Sequence, residues 1–112
     1  MSITSTEHEG VVVVVPEGTV LGGPEATSLK AEFHRLIEEG KRKIVLDLSR
    51  VTLMNSTGLG ILIGSYTSLR STGGALALAS PNEQVRTLLA VTRLDTVFRC
   101  YPGVREASAD LR

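Results

Sequence analysis

The chain has little cysteine, few aromatic residues and no surplus of charge of either sign. Cys100 is its only cysteine, which excludes an internal disulfide and a metal site built from several cysteines. Lysine and arginine together number 12, as do aspartate and glutamate, so no overall field favours nucleic acid or an anionic membrane. No apolar run is longer than the five valines at 11–15, which is far too short to span a bilayer.

Recognisable targeting and catalytic patterns are also missing. The N-terminus lacks the basic and apolar blocks of a signal peptide, so we expect a cytoplasmic protein. Because the charges balance and the apolar runs are short, we also expect that it neither binds nucleic acid nor inserts into a membrane. His8 and His34 lie far apart and have no cysteine or second histidine at metal-ligand spacing. The sequence contains neither a phosphate-binding Gly-rich loop nor a Gly-x-Ser-x-Gly elbow. We therefore expect no metal, no bound cofactor and no enzymatic activity.

The apolar patterns that are present predict one α/β domain over residues 1–112. Strands are expected at 3–7, 11–15, 44–48, 75–79 and 97–101, with helices after Pro24, Asn55 and Ser80 and a short one at 106–111. The resulting order is β-β-α-β-α-β-α-β-(α). Strands that alternate with helices favour a mostly parallel sheet, and the opening β-β pair adds one antiparallel strand. The five valines predict a central strand buried on both faces and ended by Pro16.

Residues 55–60, which read Asn-Ser-Thr-Gly-Leu-Gly, are the most informative stretch of the chain. They lie between an expected strand and a helix whose apolar residues recur at helical spacing. Polar side chains at such an entry cap unpaired backbone N–H groups, and the helix start also favours an anion. A hydroxyl here is expected to be exposed and able to carry a phosphate without strain. The predicted apolar face comprises Leu59, Leu62, Ile63, Tyr66 and Leu69.

These residues resemble a known family, the STAS domain of bacterial anti-sigma factor antagonists. The resemblance is carried by residues 44–49 and 54–60 and extends over nearly the whole chain, through Gly73-Gly74 and residues 88–94. It implies the STAS fold and places Ser56 at the position that a partner kinase phosphorylates, with Thr57 as the lesser candidate. It further implies that the unphosphorylated domain binds an anti-sigma factor, commonly a serine kinase, and that a phosphatase restores this form.

The partner surface is expected to surround the start of the motif helix. In a mostly parallel sheet this start and the loop after the second strand leave the same edge, where binding sites of such folds gather. The expected contact residues are Met54, Asn55, Ser56, Thr57, Leu59, Leu21, Gly22 and Gly23.

Two departures from the family pattern leave a second function open. Asn55 replaces the family's common acidic residue, and residues 18–22 lack the carboxylates of a frequent acidic turn. The alternative is a phosphorylation-independent STAS scaffold, or a subunit of a signalling or transport complex. The sequence also leaves open whether Asp47 lies near Ser56 or caps the turn at Ser49, and whether the protein is a monomer or a weak dimer.

Overall fold

A mixed six-stranded sheet with helices on both faces forms the centre of the protein. The computed structural model describes residues 2–112. A single 3₁₀ turn at Leu94–Thr96 precedes the last strand. The strands are β1 Ser2–His8, β2 Val11–Val20, β3 Lys43–Asp47, β4 Val51–Met54, β5 Ala75–Ala79 and β6 Arg99–Tyr101. The helices are α1 Gly23–Glu38, α2 Ser56–Ser71, α3 Glu83–Val91 and α4 Val104–Leu111.

The sheet is parallel except at one edge. Its strand order is β1-β2-β3-β5-β6, and β4 pairs with β2 beyond the point where β3 ends. Only β1 and β2 are antiparallel, joined by a tight turn in which Glu9 and Gly10 both have positive φ. The other pairs, β2–β3, β2–β4, β3–β5 and β5–β6, are parallel. The predicted fold class is confirmed.

Strand β2 is longer than the sequence predicts, and β4 was missed. The expected end at Pro16 is wrong, because β2 continues to Val20. On the side away from β1, β2 pairs with β3 over Val12–Val14 and with β4 over Gly18–Val20. Pro16 falls between these two segments, where β2 has no partner strand on that side. A residue without a backbone N–H is therefore tolerated there.

The two faces of the sheet are packed differently. One face buries the leucine, valine and phenylalanine side chains of α1, α2 and α3, and Phe33, Leu62 and Leu89 are at most 1% exposed. The other face is covered by α4, whose Ala107 packs against Ala77 and Ala79 of β5. The alternation of alanine and leucine in β5 fits this division, because only the small side chains face α4. Within the valine run, Val13 and Val15 stay partly exposed, so burial on both faces is incomplete.

Three other boundaries differ from expectation. Helix α3 is capped by Asn82 and not by Ser80, since the Asn82 side chain accepts a hydrogen bond from the Val85 N–H at 2.9 Å. The final strand begins at Arg99 because the 3₁₀ turn occupies the residues before Val97. The last helix begins at Val104.

Gly58 sits where α2 passes closest to β2. A Cβ built on Gly58 would lie 2.2 Å from the carbonyl oxygen of Val20 and 3.1 Å from Cγ of Met54. The same atom built on Gly60 would meet nothing within 4 Å. Glycine is therefore required by packing at the first position and not at the second.

We predict that alanine has opposite effects at these two positions. Gly58→Ala should lower the free energy of unfolding by about 1–3 kcal/mol, because a backbone oxygen must shift to admit the methyl group. Gly60→Ala should raise it by about 1 kcal/mol, since alanine favours the helix and meets no neighbour. Urea unfolding of both variants measures the difference. Equal destabilisation by the two substitutions would contradict the close packing at Gly58.

Candidate functional site

The start of α2 is organised by the side chain of Asn55, its N-cap residue. The Asn55 Oδ1 atom accepts a hydrogen bond from the Gly58 N–H at 3.0 Å. Its Nδ2 atom donates to the carbonyl oxygen of Leu21 at 2.7 Å, and its backbone N–H donates to Val20 at 3.4 Å. One side chain thus caps the helix and holds the loop after β2 beside the motif. This is the juxtaposition that the mostly parallel sheet predicts.

Ser56 and Thr57 are exposed residues of the first turn of α2. Within residues 2–112 neither hydroxyl makes a hydrogen bond, so only one of the three polar side chains expected to cap the helix entry does so. Asn55 caps the helix because it occupies the N-cap position, where its extended backbone directs Oδ1 to the Gly58 N–H, whereas Ser56 and Thr57 already lie within the helix. Thr57 lies against the neighbouring loop, since a Cβ on Gly22 would stand 3.3 Å from its methyl group. The Ser56 hydroxyl is therefore accessible and has no structural task.

Two of the expected contact residues do not reach the surface. Met54 is 1% exposed and Leu59 is 3% exposed, and both pack in the main core. Met54 ends β4 on its inward face, and Leu59 faces the sheet from the first turn of α2. Neither side chain can contact a partner in this conformation. The accessible part of the expected surface consists of Asn55, Ser56, Thr57 and the loop residues Leu21, Gly22 and Gly23.

Gln84 of α3 and Asn82, the N-cap residue of that helix, hold β4, and no sequence pattern indicated this role. The Met54 N–H donates to Gln84 Oε1 at 2.9 Å, and Gln84 Nε2 donates to the Met54 carbonyl at 2.8 Å. Asn82 Nδ2 donates to the carbonyls of Val51 and Thr52. Gln84 and Asn82 thus form hydrogen bonds with the β4 backbone as a neighbouring strand would. They hold Met54, the residue that precedes the motif.

The sequence left two roles open for Asp47, and in the structure its side chain caps the turn at Ser49. Its Oδ1 atom accepts a hydrogen bond from the Ser49 N–H at 2.9 Å, in the tight connection between β3 and β4. Asp47 therefore shapes the backbone that leads into the motif.

The exposed face of α2 carries almost no charge. Residues 55–69 contain no ionisable group except the Tyr66 phenol, and the first turn has no acidic residue to offset the helix dipole. Ile63, expected on the buried face, is 41% exposed, and Leu53 of the adjoining β4 is 42% exposed. The exposed face of α2 over residues 56–68, hereafter the neutral face, resembles the charge-depleted centre of a protein interface.

The groups with shifted pKa values belong to other elements. The Arg35 guanidinium lowers the pKa of the Glu32 carboxyl, to which the Ser5 hydroxyl also donates. Burial raises the pKa of the Cys100 thiol, which makes it a poor nucleophile. Over residues 2–112 no three acidic, histidine or cysteine side chains are grouped to hold a metal ion. No helix in that range is long and apolar enough to cross a bilayer.

The comparison with known proteins decides the family. The family model of the STAS domain matches residues 2–107. The chain belongs to the STAS domain family. This STAS domain is 33% identical over 104 residues to a Thermotoga neapolitana protein provisionally named an anti-sigma factor antagonist, covering 93% of this chain and 92% of that protein. It is 27% identical to the anti-sigma F factor antagonist of Paenibacillus polymyxa, covering 99% and 95%.

A solved structure supports the same assignment. The crystal structure of a provisionally named anti-sigma factor antagonist from Thermotoga maritima superposes with a TM-score of 0.92 at 32% identity. The match covers 98% of this STAS domain and 94% of that chain.

We predict that Asn55 and Ser56 contribute very differently to stability. Asn55→Ala should lower the free energy of unfolding by about 1–2 kcal/mol, because it removes the cap and the bond to Leu21. Ser56→Ala should change it by less than about 0.5 kcal/mol, since the hydroxyl has no partner. Chemical denaturation gives both values, and amide exchange at residues 21–23 should accelerate only in Asn55→Ala. Unchanged exchange in that loop would contradict the bridging role of Asn55.

Proposed function

We propose that this STAS domain is an anti-sigma factor antagonist that works as a phosphorylation-controlled binding switch. Its unphosphorylated form binds an anti-sigma factor that is also a serine kinase, and so releases a sigma factor. The kinase transfers phosphate from ATP to Ser56, which breaks the complex, and a phosphatase restores the binding form. The domain itself performs no catalysis in this scheme. The exchange takes place in the cytoplasm, where sigma factors and ATP act.

The observation that carries this proposal is the placement of the Ser56 hydroxyl. It is exposed on the first turn of a 16-residue helix and makes no hydrogen bond within residues 2–112. A phosphate at this point would gain roughly 0.3–1 kcal/mol from the helix dipole, so the fold should tolerate it. The names of the relatives supply the class of partner.

The neutral face explains why phosphate would break a complex. A partner that covers Ser56 and Ile63 would remove a largely uncharged surface from water. Phosphorylation adds about −1.5 to −2 charges to that surface, and these would have to be desolvated without a matching cation. A mispaired charge in an interface costs about 2–5 kcal/mol. Affinity is therefore lost while folding is kept, which is the behaviour of a switch.

Incubation with the cognate kinase and ATP should modify Ser56 and no other residue. The expected product is a single phosphate in the peptide that contains residues 55–60, located by fragment-ion mass spectrometry. Thr57→Ala should still be modified, whereas Ser56→Ala should not. Phosphate found only on Thr57, or elsewhere in the chain, would refute the assignment.

Substitutions at Ser56 should separate binding from folding. Ser56→Ala should keep its affinity for the kinase, because the neutral face is preserved. Ser56→Asp should bind about tenfold or more weakly, which corresponds to about 1.4 kcal/mol, since a carboxylate reproduces part of the phosphate charge. Both variants should melt close to the unmodified protein. Calorimetric titration measures affinity, and Ala109→Asp, at an exposed position of α4 on the other face of the sheet, controls for added charge as such.

Equal affinity of Ser56→Ala and Ser56→Asp would favour the second candidate, a scaffold that binds its partner without phosphorylation. The missing carboxylates at Asn55 and in residues 18–22 are the observation in its favour. The contact between Asn55 and Leu21 weighs against it, because the amide nitrogen donates to a carbonyl that a carboxylate could not bind. Asparagine at this position therefore has a structural reason of its own.

A further inference from the structure

Strand β1 is one edge of the sheet and lacks the features that normally keep an edge from pairing. It pairs only with β2, and within residues 2–112 no strand lies on its other side. Its seven residues include no lysine and no proline, and its register with β2 runs without a bulge. Short length, lysine, proline and bulges are the usual means by which proteins protect an exposed edge. The outer side of β1 is therefore open to another strand.

The opposite edge of the sheet is protected in these ways. Strand β6 has only three residues, its first residue is the charged Arg99, and Pro102 follows its last residue directly. An unprotected edge is thus a property of β1 and not of the sheet as a whole.

The hairpin geometry shows which backbone groups of β1 face outward. The two-residue turn at 9–10 makes His8 and Val11 the closing, hydrogen-bonded pair, and bonded pairs then alternate with unbonded ones along the strands. Pro16, which has no N–H, accordingly stands opposite Ile3 in an unbonded pair.

Three residues of β1 therefore direct their backbone N–H and carbonyl groups away from β2. They are Ile3, Ser5 and Glu7, and within residues 2–112 these backbone groups make no hydrogen bond. The pattern is self-complementary over residues 2–8. A second copy that runs antiparallel and is centred on Ser5 places Ile3 opposite Glu7 and Ser5 opposite Ser5, so that every one of these groups finds a partner.

The side chains of β1 permit the same pairing. The Ser5 hydroxyl donates to Glu32 of α1, so Thr4 and Thr6 lie on the face of the sheet opposite α1, and both are exposed. In the register centred on Ser5, Thr4 stands opposite Thr6 of the second copy. Threonine pairs across neighbouring strands are favourable.

The charges of β1 do not oppose this register. Glu7 stands opposite the apolar Ile3, and its carboxylate is already paired with Lys41 at 2.7 Å. His8 at the end of the strand stands opposite Ser2. Because no like charges face each other directly, a second copy of this chain fits the edge in charge as well as in hydrogen bonding.

We propose that β1 is a self-association edge, through which two copies of this STAS domain form a twofold dimer. The two β1 strands run antiparallel with Ser5 on the axis, and the two sheets join into one. The twofold axis closes the assembly at two copies. A single strand pair makes a small interface, so the dimer is reversible and depends on concentration. This inference does not depend on phosphorylation of Ser56 and goes beyond the proposed switch.

Sedimentation equilibrium of the complete chain over a range of concentrations measures the association, and amide exchange locates it. We expect a monomer–dimer equilibrium in which the amides of Ile3, Ser5 and Glu7 exchange more slowly as the concentration rises. Ser5→Pro should weaken dimerisation about tenfold or more, because it removes the N–H on the axis and breaks no hydrogen bond to β2. Ser5→Ala, which keeps that N–H, should dimerise as the unmodified protein does.

Charges on the exposed face test the register without altering the backbone. Thr4→Lys combined with Thr6→Lys should prevent dimerisation, because like charges would stand directly opposite each other. Thr4→Lys combined with Thr6→Glu should dimerise at least as tightly as the unmodified protein, because opposite charges would then be paired. Both double variants should melt close to the unmodified protein, since Thr4 and Thr6 are exposed.

The proposal is overturned if the protein stays monomeric at every concentration, if assembly continues beyond a dimer, or if the two double variants associate equally. Slower exchange of the β1 amides in the presence of the kinase, without any self-association, would assign this edge to the kinase and also overturn it.

Discussion

The side chain of Asn55 connects two of the three segments on which the site depends. It caps α2 through the Gly58 N–H, and it holds the carbonyl of Leu21 at 2.7 Å. Asn55 directly follows Met54, whose backbone N–H and carbonyl both form hydrogen bonds with the Gln84 side chain. The end of β2, the start of α2 and the start of α3 are thereby positioned around one residue. Ser56, the next residue in the chain, is exposed at this well-anchored helix start.

Rigid placement of an exposed hydroxyl has a direct consequence for the proposed switch. A residue that stabilises the fold cannot be modified without changing stability. The cap, the close contact at Gly58 and the buried side chains of Met54 and Leu59 are all assigned to neighbours of Ser56. Ser56 itself contributes no hydrogen bond within residues 2–112. In the proposed switch, folding and signalling are thus divided between adjacent residues, and modification of Ser56 changes the partner surface without removing a contact that stabilises the fold.

Most of the fold could be predicted because its signals are local. The valine run, the glycine that follows α1 and the periodicity of α2 each act over a few residues, and the strand–helix alternation then dictates a mostly parallel sheet. Strand β4 could not be predicted because it has only four residues and is formed by pairing with the second half of β2, which is distant in sequence. The role of Gln84 could not be predicted for the same reason, since its two hydrogen bonds to Met54 join residues 30 positions apart. Helical periodicity likewise could not show that Ile63 is exposed.

The sequence predicted where α2 begins and which loop lies beside it, but not the contacts of the individual residues there. A strand–loop–helix pattern locates the start of α2, and the topology brings the 21–23 loop beside it. Which of Asn55, Ser56 and Thr57 caps the helix depends on side-chain reach and backbone direction, and these are properties of the folded chain. The burial of Met54 depends on β4, so the sequence could not show that this expected contact residue is buried.

Phosphoserine installed at position 56 tests the central claim most directly, with unfolding and kinase binding measured on the same preparation. The account predicts that the free energy of unfolding stays within about 1 kcal/mol of the unmodified value, while affinity for the kinase falls about tenfold or more. Affinity that is unchanged, or that falls only together with a matching loss of stability, would contradict it.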